Sequence, residues 1–171
     1  DQHQKWLSLL PLSHIFEQIV GLWLPLKRGD SITYLKGLKG SAIFQALEED
    51  HISMVVTVPR ILQLMQKGIE REVEMSGKSE LFYGLKSVEG FLPLPLRRRM
   101  FSQLRKRFKY LKFFIAGGAP LEPDVEKFWH EMGFPVVQGY GLTESCGIVA
   151  CNLPNRRKLG SLGQVLPGIE A

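Results

Sequence analysis

Residues 138–145 read Gln-Gly-Tyr-Gly-Leu-Thr-Glu-Ser, and no other stretch of the chain sets so many chemically useful groups side by side. The apolar run 134–137 before it predicts a short strand. Gly139 and Gly141 are therefore expected at a sharp turn at the mouth of a sheet, where the missing Cβ lets the backbone approach a planar or anionic ligand. Between them Tyr140 offers a flat face, and stacking a nucleobase on an aromatic ring contributes roughly 1–3 kcal/mol. Glu144 would repel a phosphate by roughly 4 kcal/mol at ~4 Å and an effective dielectric constant of ~20. A cation resolves that conflict: Mg²⁺ accepts one or two carboxylates together with phosphate oxygens and water, which suits Glu144 preceded by the Thr143 hydroxyl. The octet is not the dinucleotide fingerprint, because Glu144 holds the place of its third glycine, and no Gly-x-x-x-x-Gly-Lys-Ser/Thr loop occurs. On these eight residues alone, a glycine turn followed by a Thr-Glu helix start explains the pattern equally well.

The elements that must position the octet follow from period and punctuation. Ser13 and His14 lead into 15–26, read as a buried helix ending near Pro25, then a turn over 27–30 and a strand over 31–35. Ser41 is placed to cap a helix with Ile43, Phe44 and Leu47 inward; 52–58 is a β-branched strand; Pro59 opens a helix striped by Leu62, Met65 and Ile69. Residues 71–92 are mixed in charge and poor in period, the mark of a mobile excursion or an insertion. A strand over 111–116 runs into the turn Gly117, Gly118, Ala119, Pro120. Helix 123–132 packs through Val125, Phe128, Trp129 and Met132 and stops at Gly133, and a strand over 135–138 returns to the octet. Strands alternating with helices imply crossover units, hence an α/β fold with a mostly parallel sheet and helices on both faces. Such sheets bind ligands at the carboxyl ends of their strands, so the glycines at 117–118 and 139–141 should open on one edge.

Composition sets the limits. With 171 residues, 44% hydrophobic and 23% charged, the chain suffices for one globular domain or most of one. Its net charge of +5 is unevenly spread, since Arg97, Arg98, Arg99, Arg105, Lys106, Arg107 and Lys109 crowd together. Leu96, Met100, Leu104 and Phe108 share that segment at helical spacing, which predicts an amphipathic basic helix over 97–109. Its cationic face serves either as solvated surface or as a contact for an anionic membrane or CoA phosphates. No aromatic platform interleaves with the cations, so no nucleic-acid partner is expected. Cys146 and Cys151 lack zinc-site spacing and are too few for a disulfide framework, which suggests a reducing compartment. Residues 7–26 are apolar, but His14, Glu17, Gln18 and two prolines interrupt them, so they belong in a core and not in a bilayer. The opening residues have no signal-peptide character. A cytoplasmic protein is expected, with the basic helix as a peripheral contact on the inner face of a membrane.

Four segments stand in order: Leu10-Pro-Leu-Ser-His-Ile-Phe-Glu17, Ala116-Gly-Gly-Ala-Pro-Leu121, the octet 138–145, and Gly160-Ser-Leu-Gly-Gln-Val-Leu-Pro-Gly168. Together they resemble the adenylate-forming (AMP-binding) acyl-CoA synthetase superfamily, most of all its long-chain fatty acid–CoA ligases. The first resembles the acyl-site motif with its His, and the second the strand-end turn flanking the adenine and acyl pockets. The third resembles the Tyr-Gly-x-Thr-Glu motif, and the fourth the glycine-proline segment that follows it. The resemblance spans essentially the whole chain. It implies that Tyr140 stacks on adenine, that Thr143 contacts ATP phosphate and metal, and that Glu144 holds Mg²⁺, with Thr143, Glu144 and His14 as the catalytic groups. It further implies a nucleotide-binding wall of Gly117, Gly118, Ala119, Pro120, Gln138, Gly139, Tyr140, Gly141 and Thr143, and an acyl side of His14, Gly117 and Gly139. Judged by its apolar setting alone, His14 reads as a satisfied core residue.

The chemistry implied has two halves. A fatty carboxylate attacks the α-phosphorus of ATP, giving acyl-adenylate and pyrophosphate; the CoA thiol then displaces AMP. Positioning and charge neutralisation do most of the first half. The superfamily's phosphate loop with its Lys, its Thr-Gly-Asp motif, its hinge and its C-terminal domain are not found in these residues. The expectation is therefore that 1–171 form part of the N-terminal AMP-binding domain of a larger enzyme. Such a piece would be inactive alone, with apolar faces that favour self-association. Three alternatives stay open: a ligase for another carboxylic acid, transfer to a carrier protein, and a non-catalytic nucleotide- or acyl-binding module.

Overall fold

Strands buried on both faces need cover on both faces, and the central strand β3 (Met54–Thr57, MVVT) is buried at every position. The computed structural model describes residues 3–77, 79–88, 106–154 and 156–170. Around β3 run β1 (Lys5–Ser8), β2 (Ser31–Tyr34), β4 (Phe113–Ala116), β5 (Val136–Tyr140), β6 (Ala150–Cys151) and β7 (Gln164–Val165). They form one sheet in the order β2-β1-β3-β4-β5-β6-β7. The first five are parallel, while β6 and β7 are antiparallel additions. The α/β expectation of a mostly parallel sheet holds.

Period two along each strand divides the core. Leu7, Val55, Phe114 and Val136 point to one face, where α2 (Gly40–Glu49), α3 (Pro59–Met75) and α5 (Pro123–Glu131) cover them with Ile43, Leu62, Met65, Val125 and Trp129. Trp6, Met54, Val56 and Ile115 point to the other, beneath a π-helix (Glu17–Trp23) that contributes Ile19 and Val20. α3 begins as expected at Pro59, after the extended Val58, because a first-turn proline lacks only an N–H the helix would leave unpaired. α5 stops at Gly133, whose φ of +81° suits a residue without Cβ.

Four expectations are corrected. The π-helix continues through Pro25 into α1 (Leu24–Arg28); Pro25 lies in the first turn of α1, where its ring is tolerated, and Gly29 at φ +71° ends the helix instead. That helix is not wholly buried, since Trp23, Leu24 and Leu26 are exposed. Ser41 does not cap α2; the cap position is Lys39, with no side-chain hydrogen bond. Of residues 71–92, α3 reaches Met75 and α4 spans Ser79–Val88, because Val73 and Phe82 find burial against the core that their spacing alone does not announce, while 78 and 89–92 lie outside the described residues. Most of the basic helix lies outside the described residues. Its last part, 106–110, is a turn that buries Phe108 among Phe44, Trp129 and Phe134 and pairs Arg107 with Glu72.

Candidate active site

β4 and β5 end side by side, and beyond their carboxyl ends opens a cleft of about 750 Å³. Three stretches contribute to it: residues between Leu10 and Phe16 with Gln18 of the π-helix, Val58 with Gly118 after β3 and β4, and residues from Gly139 at the end of β5 to Ile148. His14, Gly118, Gly139, Tyr140, Gly141, Thr143 and Glu144, separate in the sequence, thus meet on one surface. Tyr140 is 44% exposed and Thr143 and Glu144 are exposed, so none of the three is spent on packing. His14 is exposed as well, which removes the core-histidine alternative.

Local geometry explains the octet differently from a strand-end turn. β5 continues to Tyr140, and Gly139 and Tyr140 pair with Cys151 and Ala150 of β6. Residues 141–149 are the loop of this hairpin, closed by Val149 N–H donating to the Tyr140 carbonyl at 2.7 Å. Inside it the amides of Ser145 and Gly147 donate to the Leu142 carbonyl, and Ser145 Oγ donates to the same carbonyl at 2.9 Å. Thr143 and Glu144 ride on this turn, and no helix starts there. Gly141 is required by the chain itself: a Cβ would strike the Gly147 carbonyl. Gly118 has a φ of +79° and faces the cleft.

Four expected binding residues do not line the cleft. Gly117 is buried behind Phe16, whose ring would lie 2.8 Å from a Cβ there. Gln138 is buried within β5, its carbonyl accepting the Asn152 amide. Ala119 and Pro120 are exposed beside the cleft and not on it. In their place the wall gains Phe16, Gln18, Val58, Leu142 and Ile148. Phe16 was within reach of sequence reasoning, two residues after His14; Val58 and Ile148 come from other elements and carry no local signal.

Among the described residues no group of three or more His, Cys, Asp or Glu forms a metal cage. Glu144 and Thr143 present one carboxylate and one hydroxyl to the cleft, hard oxygen donors of low charge. That set fits Mg²⁺ shared with phosphate oxygens and water, and does not fit a metal bound by protein alone.

Titration separates the buried acids. Burial pushes Glu17 up to about 7, with the Ser8 hydroxyl pulling the other way. Burial also acts upward on Asp30, but the Gln4 amide, the Trp6 indole and Arg28 outweigh it and hold the carboxyl below its ordinary value. Burial raises Tyr34 against the opposing pull of the Ser8 hydroxyl, with the Glu17 charge adding to the rise, and burial raises Cys151.

A parallel sheet whose strand ends converge on a ligand-sized cleft of glycine backbone, an open tyrosine and a free carboxylate defines an α/β small-molecule-binding domain. The chain belongs to the family described as AMP-binding enzyme, whose sequence profile matches residues 1–171. It is 28% identical over 189 residues to long-chain-fatty-acid–CoA ligase ACSBG2 of Homo sapiens, covering 98% of this chain and 28% of that protein. To long chain acyl-CoA synthetase 8 of Arabidopsis thaliana it is 29% identical over 196 residues, 98% of this chain and 26% of the relative. The chain thus spans about a quarter of the length of these relatives. The N-terminal domain of FACL13 from Mycobacterium tuberculosis superimposes with a TM-score of 0.67 at 24% identity, over 95% of this chain and 34% of that one. O-succinylbenzoate coenzyme A synthetase from Bacillus subtilis, in complex with AMP, superimposes with a TM-score of 0.65 at 22% identity, over 96% and 27%. These two likenesses concern the fold.

Proposed function

We propose that residues 1–171 form part of the adenylation domain of an ATP-dependent ligase joining long-chain fatty acids to CoA. The observation that carries this is the convergence of Tyr140, Thr143, Glu144, Gly118 and His14 on one cleft at the carboxyl ends of β4 and β5, in a chain whose curated relatives are long-chain acyl-CoA ligases. Tyr140 offers its face to adenine. Gly118 brings backbone close to the nucleotide, and His14, on the same cleft, faces the carboxylate of the acid. Glu144 and Thr143 would hold Mg²⁺, which when bound supplies neutralisation of phosphate charge. The chain's contribution is to orient the carboxylate toward the α-phosphorus and to exclude water, so that positioning carries the step. The second half, displacement of AMP by CoA, is assigned to the full-length protein and not to 1–171 alone. The same reading puts the protein in the cytoplasm and makes 1–171 inactive by themselves. Among the described residues no helix is long and apolar enough to cross a membrane, and the membrane contact suggested for 97–109 falls mostly outside them.

The test is pyrophosphate release by the full-length protein against a panel of carboxylic acids. Long-chain acids should support it with the highest kcat/KM; preference for an aromatic acid, or transfer to a carrier protein, would replace the fatty-acid assignment. Tyr140→Ala should raise KM for ATP by about 5-fold to 150-fold, from the ~1–3 kcal/mol of a lost stack. Glu144→Gln should raise the Mg²⁺ concentration needed for half-maximal rate; an unchanged requirement removes Glu144 from the metal site.

A further inference from the structure

Behind the cleft wall lies a buried carboxyl group that the proposed reaction does not use. Glu17 has no exposed surface, although His14, Phe16 and Gln18 around it in sequence all line the cleft. Ser8 Oγ, at the carboxyl end of β1, donates to its Oε1, while Oε2 has no hydrogen-bond partner. The carboxyl lies against Gly21, one turn on, where a Cβ would collide with it. β2 brings Tyr34 beside Ser8 in register, and β3 turns Met54 and Val56 to this face. The titratable neighbour is thus Tyr34, and no cation among the described residues offsets a charge on Glu17. An apolar side chain would fill the site without the cost of desolvating a carboxyl.

We propose that Glu17 is a positioning residue for adenylation: tied to Ser8 and seated against Gly21, it holds the π-helical wall so that Phe16 and Gln18 face the carboxylate substrate, and the gain or loss of its proton alters that wall. The inference rests on the adenylation reading for its kinetic arm only. Burial places the titration at about 7, so the group changes charge within the working range of most enzymes. Below that value a neutral acid suits the apolar site. Above it an unbalanced charge remains, and the π-helix loosens toward solvent on the side of the exposed Tyr34.

In the full-length protein, KM for the carboxylic acid should rise several-fold from about pH 6 to about pH 8 while KM for ATP stays nearly constant, and Glu17→Gln should keep the low-pH value throughout. Amide hydrogen exchange of residues 17–23, divided by the intrinsic rate at each pH, gives a reading without substrate. It should rise with pH in the wild type and stay level in Glu17→Gln. Ser8→Ala, which removes the one hydrogen-bond donor, should move both midpoints to higher pH, and it decides the matter if Glu17→Gln does not fold. Equal pH dependence of exchange in wild type and variant, or an unmoved midpoint in Ser8→Ala, overturns the proposal. If no acid in the panel supports pyrophosphate release, the adenylation reading fails while hydrogen exchange still decides whether Glu17 governs the wall.

Discussion

Burying Glu17 without a cation ties stability to pH in a definite direction. Its folded value, about 7, lies above the ordinary 4.5, so between those limits the folded chain binds a proton that the unfolded chain has released. The contribution of Glu17 should therefore be fully present below about 4.5 and fall as pH rises to about 7, by roughly 3 kcal/mol. Denaturant titrations across that range should show the slope in the wild type and its loss in Glu17→Gln. Asp30 works in the opposite sense: its carboxyl is held below 3.8, so its contribution is present above that value and lost as pH falls through the folded one. Asp30→Asn should then lower the melting temperature at neutral pH and narrow the gap from wild type in acid. Gly141→Ala meets the Gly147 carbonyl and should destabilise the hairpin loop by about 1–3 kcal/mol; an unchanged melting curve would mean the loop yields freely. At this scale the sequence shows which residues carry chemistry, but not their surroundings. Glu17 reads as a charge interrupting an apolar run, and only packing makes it the buried acid of the wall.

Helix α5 joins the core to the loop before β7 through two contacts. Trp129 is fully buried and packs against Phe108, Phe114, Phe128 and Phe134. Trp129→Ala should cost about 3–5 kcal/mol by denaturant unfolding, the range for a large aromatic deleted from a core. From the same helix Glu126 accepts the Gly160 amide at 2.9 Å, holding residues 157–163 against α5. Elements flanked by strong punctuation were legible: α3 and α5 each begin at a proline, and α5 ends before a glycine. Pro25 misleads by the same rule, because a proline tolerated in a first turn looks identical in sequence to one that ends a helix. Residues 71–88 misled for another reason. Their burial is spread over Val73 and Phe82 on two helices, which leaves no single periodic stripe to read.

Across the whole molecule, apolar surface is left on the side of the sheet that carries the π-helix. Trp23 is 64% exposed and Leu26 53%, three residues apart on one continuous helix. Residues 1–171 alone should self-associate at high concentration in light scattering, and Trp23→Lys with Leu26→Lys should shift the distribution toward monomer; a monomeric wild type would show that these faces are too small to associate. Strands β2 to β5, helices α2, α3 and α5 and the mostly parallel sheet follow from the sequence, because period two, period 3.6 and proline or glycine boundaries are local properties of a chain, whereas β1, α4, β6 and β7 gave no such signal. Which groups share the cleft does not follow. Folding β6 back on β5 carries Thr143 and Glu144 into the cleft that His14 also lines, and the Phe16 ring packs beside Gly117. The hairpin itself is local, but its meeting with His14 and the seating of Phe16 against Gly117 join residues more than a hundred positions apart, decided by volume and desolvation once the sheet has closed, and no local pattern records them.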